Sequence, residues 1–161
     1  MSSDGKVVKG FVALLIERAR AVFEQLGCAH TETVYRNALY LELASLRHLH
    51  VQAEFPVNIN YRVEYNGASY SYCVGTGYVD LLVHKRDSES DDDVVSIPIE
   101  LKHQKTTVKN DECAEQLLKY LNTDSLASSP YGVLVFFPTS AEKSVEVFVV
   151  WRGGGVSKHS S

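Results

Sequence analysis

Tyr78-Val79-Asp80-Leu81-Leu82-Val83, followed further on by Ile97-Pro98-Ile99-Glu100-Leu101-Lys102, is the part of the chain that decides the reading. Both stretches are apolar enough to be buried strands, and each carries a carboxylate. Charged side chains are rarely placed in a sheet interior unless they are paired or coordinate something. Side chains alternate along a strand, so Ile97, Ile99 and Leu101 share one face while Glu100 and Lys102 share the other. In the preceding stretch Asp80 lies opposite Val79, Leu81 and Val83. If the two strands are hairpin neighbours, Asp80 and Glu100 converge, and two such charges repel unless a cation sits between them. Hard divalent ions such as Mg²⁺ or Mn²⁺ suit that donor set, because they prefer oxygen ligands and retain waters. An ion so held can polarise a phosphate oxygen, and Lys102 adds positive charge beside the phosphorus. The same Glu-x-Lys pattern equally suits a solvated edge strand with a weak ion pair, and Pro98 favours that alternative.

Working outward, Val7 to Leu26 has apolar residues at helical spacing and stops at Gly27. Thr31 is placed to cap a second helix over residues 32–47, with Val34, Leu39, Leu41, Leu43 and Leu46 as its stripe and Tyr35 and Tyr40 alongside. From Val51 to Val63 the period becomes two, and Asn66-Gly67 predicts a hairpin turn into a strand over residues 69–74. Gly75-Thr76-Gly77 is expected to bend the chain into the Asp80 strand. An acidic loop over residues 85–93 then joins that strand to the Glu100 strand as a long hairpin. A third helix is expected over residues 111–127, then strands at residues 132–137 and 145–151. The order ααββββαββ predicts an α/β (α+β) domain over residues 1–152, a mixed sheet flanked by helices. Residues 153–161 read as a flexible tail.

Composition bounds the function. With 45% hydrophobic and 22% charged residues the chain belongs with soluble globular proteins. Its apolar runs are broken well short of the ~18 residues a membrane span needs, so no membrane role is expected. Cys28, Cys73 and Cys113 are odd in number and lack CxxC spacing, which points to a reducing intracellular compartment, cytoplasm or nucleus. The net charge of −4 disfavours nucleic-acid binding by bulk attraction. Lys102, Lys105 and Lys109, however, follow the carboxylates with no acid among them up to Lys109. Tyr61, Tyr65, Tyr70, Tyr72 and Tyr78 cluster around the hairpin; sheet packing, base stacking and self-association are three uses for them.

Glu32, opening the second helix, either turns into the carboxylate site or only interacts with the helix dipole. Gln116 taken alone is an ordinary surface glutamine. Together, Glu32-Thr33-Val34-Tyr35-Arg36-Asn37-Ala38-Leu39, Asp80, Ile99-Glu100-Leu101-Lys102 and Ala114-Glu115-Gln116-Leu117-Leu118-Lys119-Tyr120-Leu121 resemble the GxxExxY proteins of the PD-(D/E)XK nuclease superfamily. Ala29 stands where that motif has its first glycine. The resemblance, from about Phe11 to Phe137, implies a restriction-endonuclease-like core. It implies Asp80 and Glu100 as metal ligands, Lys102 as the catalytic lysine, Glu32 as an accessory acid, and Gln116 supporting Lys102 or the phosphate. The expected activity is Mg²⁺- or Mn²⁺-dependent hydrolysis of phosphodiester bonds in nucleic acid, most simply DNA. The alternatives are a catalytically silent module of the same fold that binds nucleic acid or a protein, and a protein whose tyrosines mediate a homodimer.

Overall fold

The computed structural model describes residues 3–86, 94–104 and 111–160. Two helices come first, α1 (Ser3–Leu26) and α2 (Glu32–Ala44). Strands β1 (Leu49–Tyr65), β2 (Ala68–Arg86) and β3 (Val94–His103) follow. Helix α3 (Asp111–Leu121) and a short 3-10 turn (Asp124–Leu126) lead to β4 (Tyr131–Phe137), β5 (Glu146–Trp151) and β6 (Val156–His159). The sheet order is β1-β2-β3-β4-β5-β6. Among the described residues only the β3–β4 pair is parallel, as expected for two strands joined through a helix. The mixed sheet with helices on both faces is the α+β class that the sequence predicts.

Helices α1 and α2 cover one face, where Phe11, Leu15, Ala19, Tyr35, Leu39 and Leu43 pack on Leu81, Ile97, Ile99, Leu101, Val133 and Val135. The α2 stripe is narrower than expected. Tyr35, Leu39 and Leu43, four residues apart, are fully buried, whereas Leu41 is exposed. On the opposite face Ala114, Leu117 and Leu121 of α3 pack against Leu134 and Phe136. Strand alternation is what lets β4 bury both faces, and every one of its residues is buried.

Several expectations need correction. Residues 69–74 and the Asp80 strand are one continuous strand, β2, so Gly75-Thr76-Gly77 does not break it. Gly77 serves a close approach instead: a Cβ there would sit 2.6 Å from the Tyr120 hydroxyl oxygen and 2.8 Å from two of its ring carbons. Gly77→Ala is therefore expected to cost about 1–3 kcal/mol through displacement of the buried Tyr120 ring, read as a thermal midpoint about 3–8 °C lower. An unchanged midpoint would show that the ring moves freely.

The third helix ends at Leu121, six residues short of expectation, and the chain continues through the 3-10 turn. The expected tail is also partly wrong, because Val156–His159 pairs antiparallel with β5 as an edge strand. Pro98 is not on an edge. Strand β3 lies between β2 and β4, and Pro98 is buried. Parallel pairing with β4 starts one residue later, at Ile99, so the residue without an N–H precedes that ladder rather than interrupting it. The acidic loop beyond Arg86, and Lys105 and Lys109, fall outside the described residues.

Candidate active site

The site forms where β2 and β3 part. Their ladder runs from Arg86↔Val94 to Leu81↔Ile99 and stops there, while β3 continues along β4 through His103↔Phe137. A backbone amide left without a strand partner at that point needs another acceptor. The two carboxylates supply it reciprocally. The Asp80 N–H donates to Glu100 Oε1 at 3.2 Å, and the Leu101 N–H donates to Asp80 Oδ2 at 2.9 Å. Each acid thus replaces a rung that backbone carbonyls no longer provide, which fixes both side chains on the α3 face of the sheet. The carboxyl groups lie close enough to hydrogen-bond each other when one is protonated.

Glu100 is only 5% exposed. Burial pushes its pKa up, the neighbouring Asp80 charge adds to this, and Lys102 opposes it; the result is about 8 against an ordinary 4.5. A bare pair of this kind therefore holds a proton between its members near neutrality. Two converging oxygen donors whose second charge is suppressed for want of a counter-charge are a donor set that fits a hard divalent cation.

Glu32 and Lys102 are brought to the same place. Glu32 Oε2 accepts from the His103 N–H at 2.9 Å, so the first turn of α2 caps the exit of β3. Lys102, Glu100, Glu112 and Glu32 all act electrostatically on the half-buried Cys113 thiol, whose pKa is raised mainly by burial. Gln116 Nε2 donates to the Tyr120 hydroxyl at 3.1 Å. Among the described residues, no group of three or more His, Cys, Asp or Glu side chains is placed to hold a metal, so Asp80 and Glu100 stand as a pair.

The sequence matches the PD-(D/E)XK nuclease superfamily over residues 9–148, a span that contains every one of these groups. The chain belongs to the PD-(D/E)XK nuclease superfamily. No curated protein sequence matches it. Among solved structures, one titled "Crystal structure of SSO0001" is similar at 16% identity with a TM-score of 0.42; the similarity covers 87% of this chain and 66% of that one.

Three residues around these groups make contacts that the sequence did not foretell. Tyr35 donates to the Gly27 carbonyl at 2.6 Å and stacks on Phe137 with centroids 4.6 Å apart, which anchors the helix that carries Glu32. His103 contacts the Phe137 carbonyl oxygen through Nδ1 at 3.2 Å and packs on Tyr35. Its ring is thereby tied to the end of β4. Tyr120 fills the space over Gly77 and receives Gln116. The Glu32-x-x-Tyr35 spacing was visible in the sequence as one turn of helix. The contacts of His103 and Tyr120 had no sequence signal, since their partners lie at positions 137 and 77.

Proposed function

We propose that this protein hydrolyses phosphodiester bonds in nucleic acid, with DNA as the substrate and Mg²⁺ or Mn²⁺ as the cofactor, within the GxxExxY branch of the superfamily. The observation that carries the reading is the reciprocal bonding of Asp80 and Glu100 at the end of the β2–β3 ladder. It holds two oxygen donors together in a buried place that suppresses their second negative charge, which a bound cation would restore. Asp80 and Glu100 would hold the ion. When bound, it supplies Lewis acidity toward a phosphate oxygen and lowers the pKa of water. Lys102, two residues along the same face of β3, stabilises the charge that builds on the phosphate oxygens. Glu32 fixes the backbone at His103 and so sets the direction in which β3 presents Lys102. Gln116 acts through Tyr120, as a positioning residue on α3.

Residues 1–152, with β6 added, form the unit that carries the activity. Among the described residues no helix is long and apolar enough to cross a membrane. The three cysteines are free thiols, which supports an intracellular setting.

The test is cleavage of single- and double-stranded DNA by purified protein with Mg²⁺, with Mn²⁺ and with a chelator. Cleavage confined to the metal-containing reactions is the expected result. DNA binding with no metal response and no cleavage would instead identify a silent nucleic-acid-binding module.

A further inference from the structure

Strands β1 and β2 run far beyond the sheet. From Phe55↔Val79 to Tyr65↔Ala68 they pair with each other, while β3 meets β2 only from Leu81 onward. The result is a two-stranded ribbon roughly 35 Å long. Its base is held firmly: Val57 is buried with Val79, Tyr120 and Leu126, and the Asn58 N–H donates to the Ser125 hydroxyl at 3.2 Å. Beyond the base its two faces differ. Cross-strand partners share a face, so Tyr61 with Tyr72, Val63 with Tyr70 and Tyr65 with Ala68 form one side. Arg62 with Ser71, Glu64 with Ser69 and Asn60 with Cys73 form the other. The tyrosine face is bare among the described residues: Tyr61 is 63% exposed, Tyr65 66%, Tyr70 46% and Tyr72 57%.

We propose that the tyrosine face of this ribbon binds the same face of a second copy, forming a two-fold homodimer. The area fits. With about 150–250 Å² available per aromatic side chain, the exposed parts of these tyrosines and of Val63 and Ile59 come to roughly 600 Å² per copy. That is the top of the range for a patch on a monomer, and two such faces together reach the ~1,200 Å² at which specific interfaces begin. The charge fits too. Between Phe55 and Val79 the only charged residues are Arg62 and Glu64, which cancel and lie on the opposite face. Two chains of net charge −4 repel through their bodies, and a neutral arm reaching out from each lets them meet where repulsion is least. The same neutrality argues against nucleic acid as the occupant, since the ribbon has no excess of cations with which to displace phosphate counterions. Isologous pairing needs a self-complementary patch, and offset tyrosine rings with hydroxyls at their rims meet that need.

The proposal does not depend on the hydrolase reading, because its readout is mass. Full-length protein under reducing conditions, which exclude a disulfide through the exposed Cys73, is followed by sedimentation equilibrium up to about 100 µM. The expected result is a concentration-dependent species of twice 17.9 kDa. Tyr61→Ser with Tyr72→Ser is expected to weaken association more than about 30-fold. Tyr70→Lys on the same face should do likewise, while Ser71→Ala on the other face, which keeps the arm neutral, leaves the dimer intact. Circular dichroism on each variant shows that the fold survives. A wild-type monomer throughout the range overturns the proposal, as does a dimer that tolerates both tyrosine-face variants. A monomer that binds a single-stranded oligonucleotide, and loses it with Tyr61→Ser/Tyr72→Ser, also overturns it and makes the face a stacking platform.

Discussion

Asp80→Asn is expected to reduce metal-dependent DNA cleavage by roughly 10³-fold or more, and Lys102→Ala by 10²–10³-fold. The two substitutions separate charge from architecture. Asparagine at position 80 retains an oxygen for the Leu101 N–H, so the end of β3 keeps its bond and the thermal midpoint should barely move. What it loses is one of the two anionic donors proposed for the ion. Alanine at position 102 leaves the ladder untouched, since the β3 backbone pairs with β4 through Phe136 and Phe137 regardless of that side chain. Initial rates on a labelled duplex with Mn²⁺, measured beside the melting curve of each variant, provide the check. Wild-type rates in either variant would move the chemistry elsewhere in the chain or assign it to a contaminant.

Glu100→Gln should produce the largest change in stability, and added metal should narrow the difference. Glu100 titrates near 8 in the folded chain and near 4.5 when unfolded. Between those values the native state keeps a proton that the unfolded chain has released, so stability falls as pH rises through the window. Below pH 4.5 both states are protonated and the penalty disappears; above pH 8 it is complete. Glutamine does not titrate, still accepts from the Asp80 N–H, and offers an amide to the Asp80 carboxylate. Without metal, Glu100→Gln is therefore expected to be more stable than wild type at pH 8.5 by up to about 5 kcal/mol, at roughly 1.4 kcal/mol per pK unit over that interval, with the difference vanishing near pH 4. Mn²⁺ at a hundred times its dissociation constant should then stabilise wild type by about 2.7 kcal/mol and leave the variant unmoved. Chemical denaturation at the two pH values, with and without Mn²⁺, decides it. Equal metal responses would remove Glu100 from the ligand set.

Burial at position 100 has a further consequence. The group that resists ionisation is the same group that a cation would stabilise, so metal and proton compete for one site. Apparent Mn²⁺ affinity is therefore expected to rise with pH up to about 8 and then level off, a trend that titration calorimetry can follow.

Much of this was legible residue by residue. The alternation Ile97, Ile99, Leu101 against Glu100 and Lys102 holds in the structure, because a one-residue change of face would put charge among the core side chains under α1 and α2. The turn at Asn66-Gly67 is where expected, with both residues at positive φ, the backbone that this dipeptide tolerates best. Other features were misread for identifiable reasons. Glycines at 75 and 77 looked like a bend because a sequence shows the missing side chain and not, at Gly77, the Tyr120 ring that occupies its place. Pro98 looked like an edge residue because the rule concerns hydrogen bonds, and only strand order shows that the β3–β4 ladder starts after it. Alternation from Val51 to Val63 looked half-buried, yet periodicity records which side chains share a face and not whether anything covers that face.

Local chemistry, then, was determined by the chain itself: which residues alternate, where turns fall, and which strands carry a carboxylate. These follow from short-range sterics and from the cost of burying charge, and both act within a few residues. Tertiary structure alone decided that Asp80 and Glu100 exchange hydrogen bonds at a ladder's end, that Glu32 reaches His103, and that Gln116 turns to Tyr120. Each of the first two joins strands or a helix whose meeting depends on sheet order, and the third depends on how Tyr120 seats over Gly77. Sheet order is set by the packing of the whole core, a quantity to which no single stretch of sequence corresponds.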